Sequence, residues 1–287
     1  MRAMGRTLVS HHDSPLGQWT RALYFPTGAL AAHVEMLWYV AGRTEFVRDR
    51  RLPEGKTHLL FNLGTAPTLF ARDAALAAQS FPTCWISGQQ HSYIETGSAG
   101  DAILVGAQLH AHGAYRLLRI GQHELSDRVI ELEALLGDRV LALRQRLLEA
   151  PSPQACFALL EHWLTQLLQR GATLHPAVLA AGRAVAAEPA QLRLAALSRD
   201  VGMSREHLIR RFREQIGLTP KAYANILRFG RALALARRRN CAWSAIAQTC
   251  GYYDQAHLAG DFQRYAGRTP TSLLRDRMPD ASSIVIA

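Results

Sequence analysis

The feature that most constrains this chain is a short helical pattern that occurs twice in its last hundred residues. Leu194-Ala-Ala-Leu197, followed by Val201-Gly202, returns 49 residues later as Trp243-Ser-Ala-Ile246, followed by Cys250-Gly251. Gly217-Leu-Thr-Pro220 returns 50 residues later as Gly267-Arg-Thr-Pro270. A helix, a glycine turn and a second amphipathic helix form a helix-turn-helix motif. The sequence therefore predicts an all-α C-terminal part with two such motifs.

Basic residues are concentrated in the same part of the chain. The formal net charge is +10, and residues 171–287 carry 17 Lys and Arg against 8 Asp and Glu. A localised positive field attracts a polyanion, although basic surfaces also occur in proteins that bind no nucleic acid. The charge and the duplicated motif together indicate double-stranded DNA as a partner.

The second helix of the first motif is the main candidate for reading DNA. Ser204 is a suitable N-cap, and Leu208 and Phe212 share the inward face of the predicted helix. The outward face and its flank supply the predicted DNA contacts, which are Arg205, Glu206, Ile209, Arg210 and Arg213. A helix fits the major groove, where Arg pairs with guanine, Glu with the cytosine amino group and an apolar side chain with the thymine methyl. We therefore expect base contacts from Arg210, Ile209 and Glu206, and phosphate contacts from the other two arginines.

The second motif differs in its side chains. Its turn, Gly251-Tyr-Tyr-Asp254, is one residue longer, and Asp254 stands where the first motif has Ser204. The outward positions hold small or neutral residues, namely Ala256, Ala259, Gly260 and Gln263. The predicted contacts are Gln255 and His257 to bases, and Arg264 and Arg268 to phosphates. We expect the first motif to supply most of the direct base readout.

A long helix is predicted between the two motifs, from Pro220 to about Arg239. At 1.5 Å per residue its length is roughly 28 Å. Successive major grooves on one side of a duplex lie about 34 Å apart. The two motifs are therefore expected to read two successive major grooves.

The first part of the chain, residues 1–112, is predicted to be a β-rich sensor domain. Short apolar runs at Val34–Val40, His58–Leu63 and Thr68–Phe70 are bounded by Gly and Pro, and Ala102–Leu109 alternates with period two. This pattern favours a sandwich or a barrel. The candidate lining of a pocket for an unknown small effector is Trp38, Phe61, Trp85, Tyr93, Gln108 and His110. The alternative is that the aromatic residues only fill a core.

Residues 113–172 are predicted to be helical and to connect this domain to the double helix-turn-helix domain, residues 173–287. Val129–Leu148 shows helical spacing, and a second helix is expected after Ser152-Pro153, ending before Gly171. The stripe of Cys156, Leu160, Trp163 and Leu164 either packs on its own domain or forms a dimer face. The expected fold class is α+β, and the expected assembly is a homodimer.

The pair His110 and His112 is the sequence feature that suggests a metal site. His110-Ala-His112 would place two imidazoles on one face of a strand, so a metal-binding cupin-like sensor or enzyme with a basic DNA-localising tail is the alternative reading. Motifs such as G-x-S-x-G, Walker A and H-E-x-x-H are missing from the sequence. We expect no catalytic activity, no cofactor and no bound metal.

The cysteines and the apolar runs bear on the compartment. Cys84, Cys156, Cys241 and Cys250 are scattered, which is typical of a reduced protein. No apolar run approaches the ~18 residues of a membrane span. A cytoplasmic protein without membrane contact is expected.

These motifs resemble the AraC/XylS family of bacterial transcription regulators. The likeness covers residues 176–276, and Ala245-Ile-Ala247, Gly251-Tyr252, His257-Leu258, Phe262 and Gly267-Arg-Thr-Pro270 carry its most specific part. Leu52-Pro-Glu-Gly55, His58–Gly64, Val105-Gly106 and His112-Gly113-Ala114 resemble a cupin-like sensor domain of some members. The resemblance implies sequence-specific DNA binding, an effector-binding N-terminal domain and dimerisation helices. RNA polymerase is a further candidate partner of such a regulator.

Overall fold

A computed structural model describes residues 5–70, 78–97, 100–238, 242–280 and 282–286. The first part contains two antiparallel sheets. The larger sheet contains, in spatial order, β1 (Arg6–Ser14), β2 (Gly17–Phe25), β3 (Val34–Thr44), β10 (Gly100–Leu109), β5 (Thr57–Asn62), β8 (Cys84–Ser87) and β11 (Val129–Glu131). The smaller sheet contains β12 (Ser283–Val285), β4 (Arg48–Arg51), β9 (Ile94–Gly97), β6 (Thr68–Phe70) and β7 (Gln79–Ser80).

The central strand β10 separates a packed core from a cavity. Val105 and Leu109 are fully buried in the core between the larger sheet and the helices that cover it. Leu104 and Gln108 point to the other side and line a cavity between the two sheets. The alternation predicted for Ala102–Leu109 is therefore confirmed, with both faces of the strand covered.

Short helices cover the outer face of the larger sheet. They are α1 (Gly28–Ala31), α2 (Gly113–Leu118), α3 (Leu132–Leu136), α4 (Arg139–Leu148) and α5 (Pro153–Gln169), with a 3₁₀ turn at Gln122–Glu124. The helical pattern predicted for Val129–Leu148 is wrong at its start, because Val129 pairs with Ser87 as part of β11. Gly137, at φ +68°, then separates α3 from α4.

Helix α5 confirms the predicted capping residues. The Ser152 hydroxyl accepts a hydrogen bond from the Ala155 amide, and Pro153 is the first helical residue. Leu160 and Leu164 are fully buried, and the Trp163 ring packs edge-on against Phe61 at 5.8 Å between centroids. The apolar stripe therefore packs against its own sheet, and its use as a dimer face remains a prediction.

The C-terminal part is helical. It contains α6 (Pro176–Ala187), α7 (Leu194–Asp200), α8 (Arg205–Ile216), α9 (Pro220–Arg238), α10 (Trp243–Thr249), α11 (Gln255–Ala266) and α12 (Pro270–Leu273), with a 3₁₀ turn at Pro189–Gln191. Helix α9 has the predicted start, and Arg239, the predicted end, lies outside the described residues. Phe229 of α9 is fully buried and contacts both Phe262 and Tyr265 of α11.

The last strand joins the two parts of the chain. Beyond Pro279, β12 pairs with β4 in the smaller sheet. Ile284 is fully buried in the same apolar cluster as the C-terminal helices, together with Leu52 and Ala111. The chain is thus an α+β protein, as predicted, with strands also beyond residue 112.

Among the described residues, no helix combines the length and the apolar character that crossing a membrane requires.

Candidate nucleic-acid interface and cavity

The conformation of the turn between α7 and α8 is explained by the glycine and the serine that it contains. Gly202 adopts φ +66°, a left-handed conformation that glycine tolerates without steric cost. The Met203 amide then donates to the Ser198 carbonyl at 2.9 Å, and the Ser204 hydroxyl accepts from the His207 amide at 3.2 Å. Ser204 thus satisfies one of the unpaired amides at the start of α8, as predicted.

The turn between α10 and α11 repeats this geometry. Gly251 has φ +71°, and the Tyr252 amide donates to the Ala247 carbonyl at 2.9 Å. The Asp254 carboxylate accepts from the His257 amide at 2.7 Å. Asp254 therefore replaces Ser204 as the N-cap, and the two motifs have the same backbone design.

The structure leaves most of the predicted contacts on α8 open to solvent. Arg205, Glu206, Arg210 and Arg213 are exposed and Ile209 is half-buried, while Leu208 and Phe212 are fully buried on the opposite face. The neighbouring Arg211 donates to Glu214 at 2.9 Å, so its guanidinium is committed within the helix. The outward face of α8 therefore presents three arginines and one carboxylate to a ligand.

The predicted contacts on α11 are more constrained. Gln255, His257 and Arg264 are exposed, but the His257 Nε2 atom lies 3.3 Å from Arg228 Nη2 on α9. Arg268 is half-buried, and its Nε donates to the Asp276 carboxylate at 3.1 Å. A phosphate contact by Arg268 would therefore compete with this ion pair.

The sequence reading missed Tyr253 in the second turn. Its side chain is 93% exposed, and it directly precedes the cap of α11. Tyrosine is enriched at interfaces, because its ring offers an apolar face and its hydroxyl a hydrogen-bonding group. The extra residue of this turn was the signal that could have identified it.

Both second helices are held at their C-terminal ends by the N-terminal part of the chain. The Ser126 hydroxyl donates to the Gly217 carbonyl at 2.7 Å, just past the end of α8. Arg50 donates to the carbonyls of Ala266 and Gly267 at 3.0 and 3.1 Å, at the end of α11. A cation complements the partial negative charge of a helix C-terminus. The opposite ends, where the predicted base contacts begin, remain exposed.

The cavity between the two sheets has a volume of about 280 Å³. Three of the predicted lining residues, Trp38, Trp85 and Gln108, lie on its wall. Phe61 does not, because it shares the opposite face of β5 with Leu59 and is buried against the helices. Tyr93 instead packs under the Arg50 guanidinium at 4.3 Å.

His110 also lies away from the cavity, in a cluster of three imidazoles. The rings of His33 and His110 lie 5.4 and 6.2 Å from that of His112, whose Nε2 donates to the Ala32 carbonyl at 2.9 Å. Burial lowers the pKa of all three, and that of His112 falls to about 4. The described residues include no group of three or more His, Cys, Asp or Glu arranged to hold a metal ion.

Three cysteines are buried as free thiols, at positions 84, 156 and 250. Burial raises the pKa of each thiol, so none is activated as a thiolate. Cys241 lies outside the described residues.

Family models match both parts of the chain. A family described as "Helix-turn-helix domain" matches residues 197–276, and a family described as "Domain of unknown function (DUF6597)" matches residues 22–131. The HTH-type transcriptional activator RhaS of Escherichia coli (strain SE11) is 32% identical over 82 residues. That match spans 29% of this chain and 30% of RhaS.

Solved structures of two related proteins align at low TM-scores. ToxT from Vibrio cholerae has 9% identity and a TM-score of 0.49, with 83% of this chain and 98% of ToxT covered. The DNA-binding domain of AdpA, solved in complex with a target DNA, has 26% identity and a TM-score of 0.32, with 34% and 87% covered.

The two family matches coincide with the two parts of the fold. Residues 197–276 contain both capped turns and both exposed second helices, and residues 22–131 contain strands β3 to β11, which form most of the two sheets. The C-terminal part of the chain thus contains a helix-turn-helix domain similar to part of the activator RhaS, and the N-terminal part contains a DUF6597 domain.

Proposed function

We propose that this protein is a sequence-specific DNA-binding regulator of transcription, and that each protomer reads two successive major grooves. The observation that carries the proposal is the pair of equivalent cap, turn and helix units, α7–α8 and α10–α11, at the two ends of α9. The nineteen residues of α9 give a length of roughly 28 Å. This length is close to the ~34 Å between successive major grooves.

The charges of the first unit support base reading there. Arg210, Glu206 and Ile209 lie on the outward face of α8, on the side opposite Leu208 and Phe212. Arginine pairs with guanine through two parallel hydrogen bonds, and each such pair contributes about 1–3 kcal/mol of discrimination. Arg205 and Arg213 flank this face and hold phosphates.

The second unit, α10–α11, contributes mainly to the affinity for DNA and less to the choice of sequence. Small residues at Ala256 and Gly260 let the duplex approach closely, while Gln255 and Tyr253 reach toward the bases and sugars. His257 and Arg268 are already engaged with groups of the protein. Arg264 is exposed and supplies a phosphate contact.

The N-terminal part controls this activity by binding a small effector in the cavity. In this proposal the sensor domain comprises residues 1–112, the connecting and dimerisation helices comprise residues 113–172, and the DNA-binding domain comprises residues 173–287. The homodimer and a contact with RNA polymerase belong to the same proposal. The physical basis for effector control is the direct contact of Ser126 and Arg50 with the C-terminal ends of α8 and α11.

The test is a selection of bound genomic fragments, followed by footprinting at several salt concentrations. A regulator of this kind protects a discrete site of about two helical turns per protomer and prefers it by at least about 10³ over random DNA. The charge-reversal variant Arg210→Glu should lose the footprint. The matched variant Arg139→Glu, which changes an exposed arginine of α4, should keep it. Diffuse protection that salt removes uniformly would instead indicate a basic surface without sequence preference.

A further inference from the structure

Strand β4 has one face on the cavity and the other on the DNA-reading domain. Because side chains alternate along a strand, Asp49 and Arg51 point to the cavity while Arg48 and Arg50 point away from it. Arg50 binds the carbonyls at the end of α11. Its neighbour Arg51 binds two carboxylates, that of Asp49 at 2.9 Å and that of Asp280 at 2.9 Å.

The second carboxylate comes from the last segment of the chain, which enters the cavity wall. Pro279, Asp280 and Ser282 line the cavity. The Ser282 amide donates to the Asp280 carboxylate at 2.8 Å, and the Leu52 amide donates to the Ser282 carbonyl at 2.7 Å. Strand β12 then continues along β4, and only two residues separate Asp280 from the first residue of β12.

The same segment is held by the helix that joins the two DNA-reading motifs. Arg237, in the last turn of α9, donates to the Asp280 carbonyl at 3.2 Å and contacts the Met278 sulfur. Asp280 therefore touches the cavity through its carboxylate and α9 through its backbone.

The two carboxylates on Arg51 differ in their electrostatics, because burial raises the pKa of Asp49. Burial opposes ionisation of Asp280, but Arg51, the Ser282 amide and Arg21 together lower its pKa to about 2. The side chain of Arg51 is 45% exposed. The wall also contains charged residues, among them Arg21, Glu54 and Lys56, and five aromatic side chains, which are Trp19, Trp38, Phe46, Phe81 and Trp85.

We propose that the cavity binds a small organic acid whose carboxylate replaces that of Asp280 on Arg51, and that this exchange releases β12 from β4. The inference rests on the effector control proposed above and specifies its ligand class. The Asp280 carboxylate accepts one hydrogen bond from Arg51 in the free protein, and a ligand carboxylate can accept the same hydrogen bond. The aromatic side chains of the wall accommodate an aryl or alkyl body, whose burial supplies the affinity that displaces the tethered Asp280.

The test uses the full-length protein and three monocarboxylates, benzoate, 3-phenylpropanoate and octanoate, each beside its neutral primary amide. Binding is measured by the fluorescence of the cavity tryptophans. The wild type should bind at least one acid more tightly than its amide. Asp280→Asn should bind that acid about tenfold more tightly, because the competing carboxylate is gone. Asp101→Asn, which removes one exposed acid from the same domain, should match the wild type.

The release of β12 is read by amide hydrogen exchange at Ser283–Val285 in the bound state. Exchange should rise with the acid and stay unchanged with the amide. Arg51→Gln should abolish the preference for the acid while leaving amide binding intact, which shows that the cavity is still folded. Equal binding of acid and amide, failure of Asp280→Asn to bind any of the three acids, or binding without faster exchange in β12 would each overturn the proposal. None of these readouts involves DNA, so the proposed regulatory function stands or fails separately.

Discussion

The Ser126 hydroxyl donates a 2.7 Å hydrogen bond to the carbonyl of Gly217 and so joins the N-terminal part of the chain to the C-terminal end of α8. Gly217 has φ +94° and lies so close to the 3₁₀ turn at Gln122–Glu124 that a Cβ there would stand 2.8 Å from the Ser126 oxygen. The backbone conformation that ends α8 therefore also provides the contact surface for the other domain.

Replacing this glycine should loosen the docking of α8. Gly217→Ala introduces left-handed strain of about 1–2 kcal/mol and, in addition, the contact with Ser126. Gly202→Ala is the matched control, because Gly202 has a similar positive φ but nothing within 4 Å of its added Cβ. Chemical denaturation should show a larger loss of unfolding free energy for Gly217→Ala. Equal losses for the two variants would mean that the inter-domain contact adds nothing to stability.

The outward arginines of α8 should differ in what they contribute to DNA binding. Arg210→Ala should weaken binding to the selected site by about 1–3 kcal/mol and relax the preference for one base pair. Arg213→Ala should weaken binding to all DNA sequences by the same factor. It should also reduce, by about 1, the slope of the logarithm of the binding constant against the logarithm of the salt concentration. Binding isotherms at several salt concentrations separate the two effects. If Arg210→Ala leaves the preference unchanged while Gln255→Ala removes it, the first motif is not the main reader.

Tyr253 should contribute to DNA binding without contributing to stability. Because its ring is 93% exposed, Tyr253→Ala should leave the melting temperature unchanged and lower affinity for the selected site severalfold. The neighbouring Tyr252 is buried, and Tyr252→Ala should instead lower the melting temperature. Thermal unfolding and binding measured on both variants check this contrast. Unchanged affinity in Tyr253→Ala would exclude the ring from the interface.

The imidazole cluster should make the fold sensitive to acid. Burial lowers the pKa of His112 to about 4, below the ordinary value of 6.5 that it has when unfolded. The unfolded chain therefore binds its proton first, and stability falls as the pH decreases from 6.5 to about 4. The contribution of this residue is at most about 1.4 kcal/mol per pH unit. Stability curves of the wild type and His112→Gln should converge toward low pH.

His11→Gln serves as the control for that measurement, since His11 is exposed on β1. Its stability curve should run parallel to that of the wild type over the whole pH range. A parallel curve for His112→Gln as well would show that this imidazole is not the residue responsible.

Local patterns were predictable because each depends on neighbouring residues. The caps at Ser204 and Asp254, the start of α5 at Pro153 and the inward pairs Leu208–Phe212 and Leu258–Phe262 are all fixed by side chains within one or two helical turns. The face of β5 on which Phe61 lies was not predictable, because both faces of that strand are covered. The pairing of β12 with β4 joins residues more than 200 positions apart, and three residues carry too little pattern to indicate a strand.

Helix α9 packs against both helix-turn-helix motifs in one buried apolar cluster. The N-terminal part of the chain contacts the C-terminal ends of α8 and α11. The two helix-turn-helix motifs of one chain are therefore held at a fixed separation. If they enter successive major grooves, as proposed, any difference between their separation and the groove spacing has to be taken up by curvature of the duplex. Base pairs that the protein never touches should then influence affinity through their stiffness, and flexible steps midway between the two contacted grooves should be favoured.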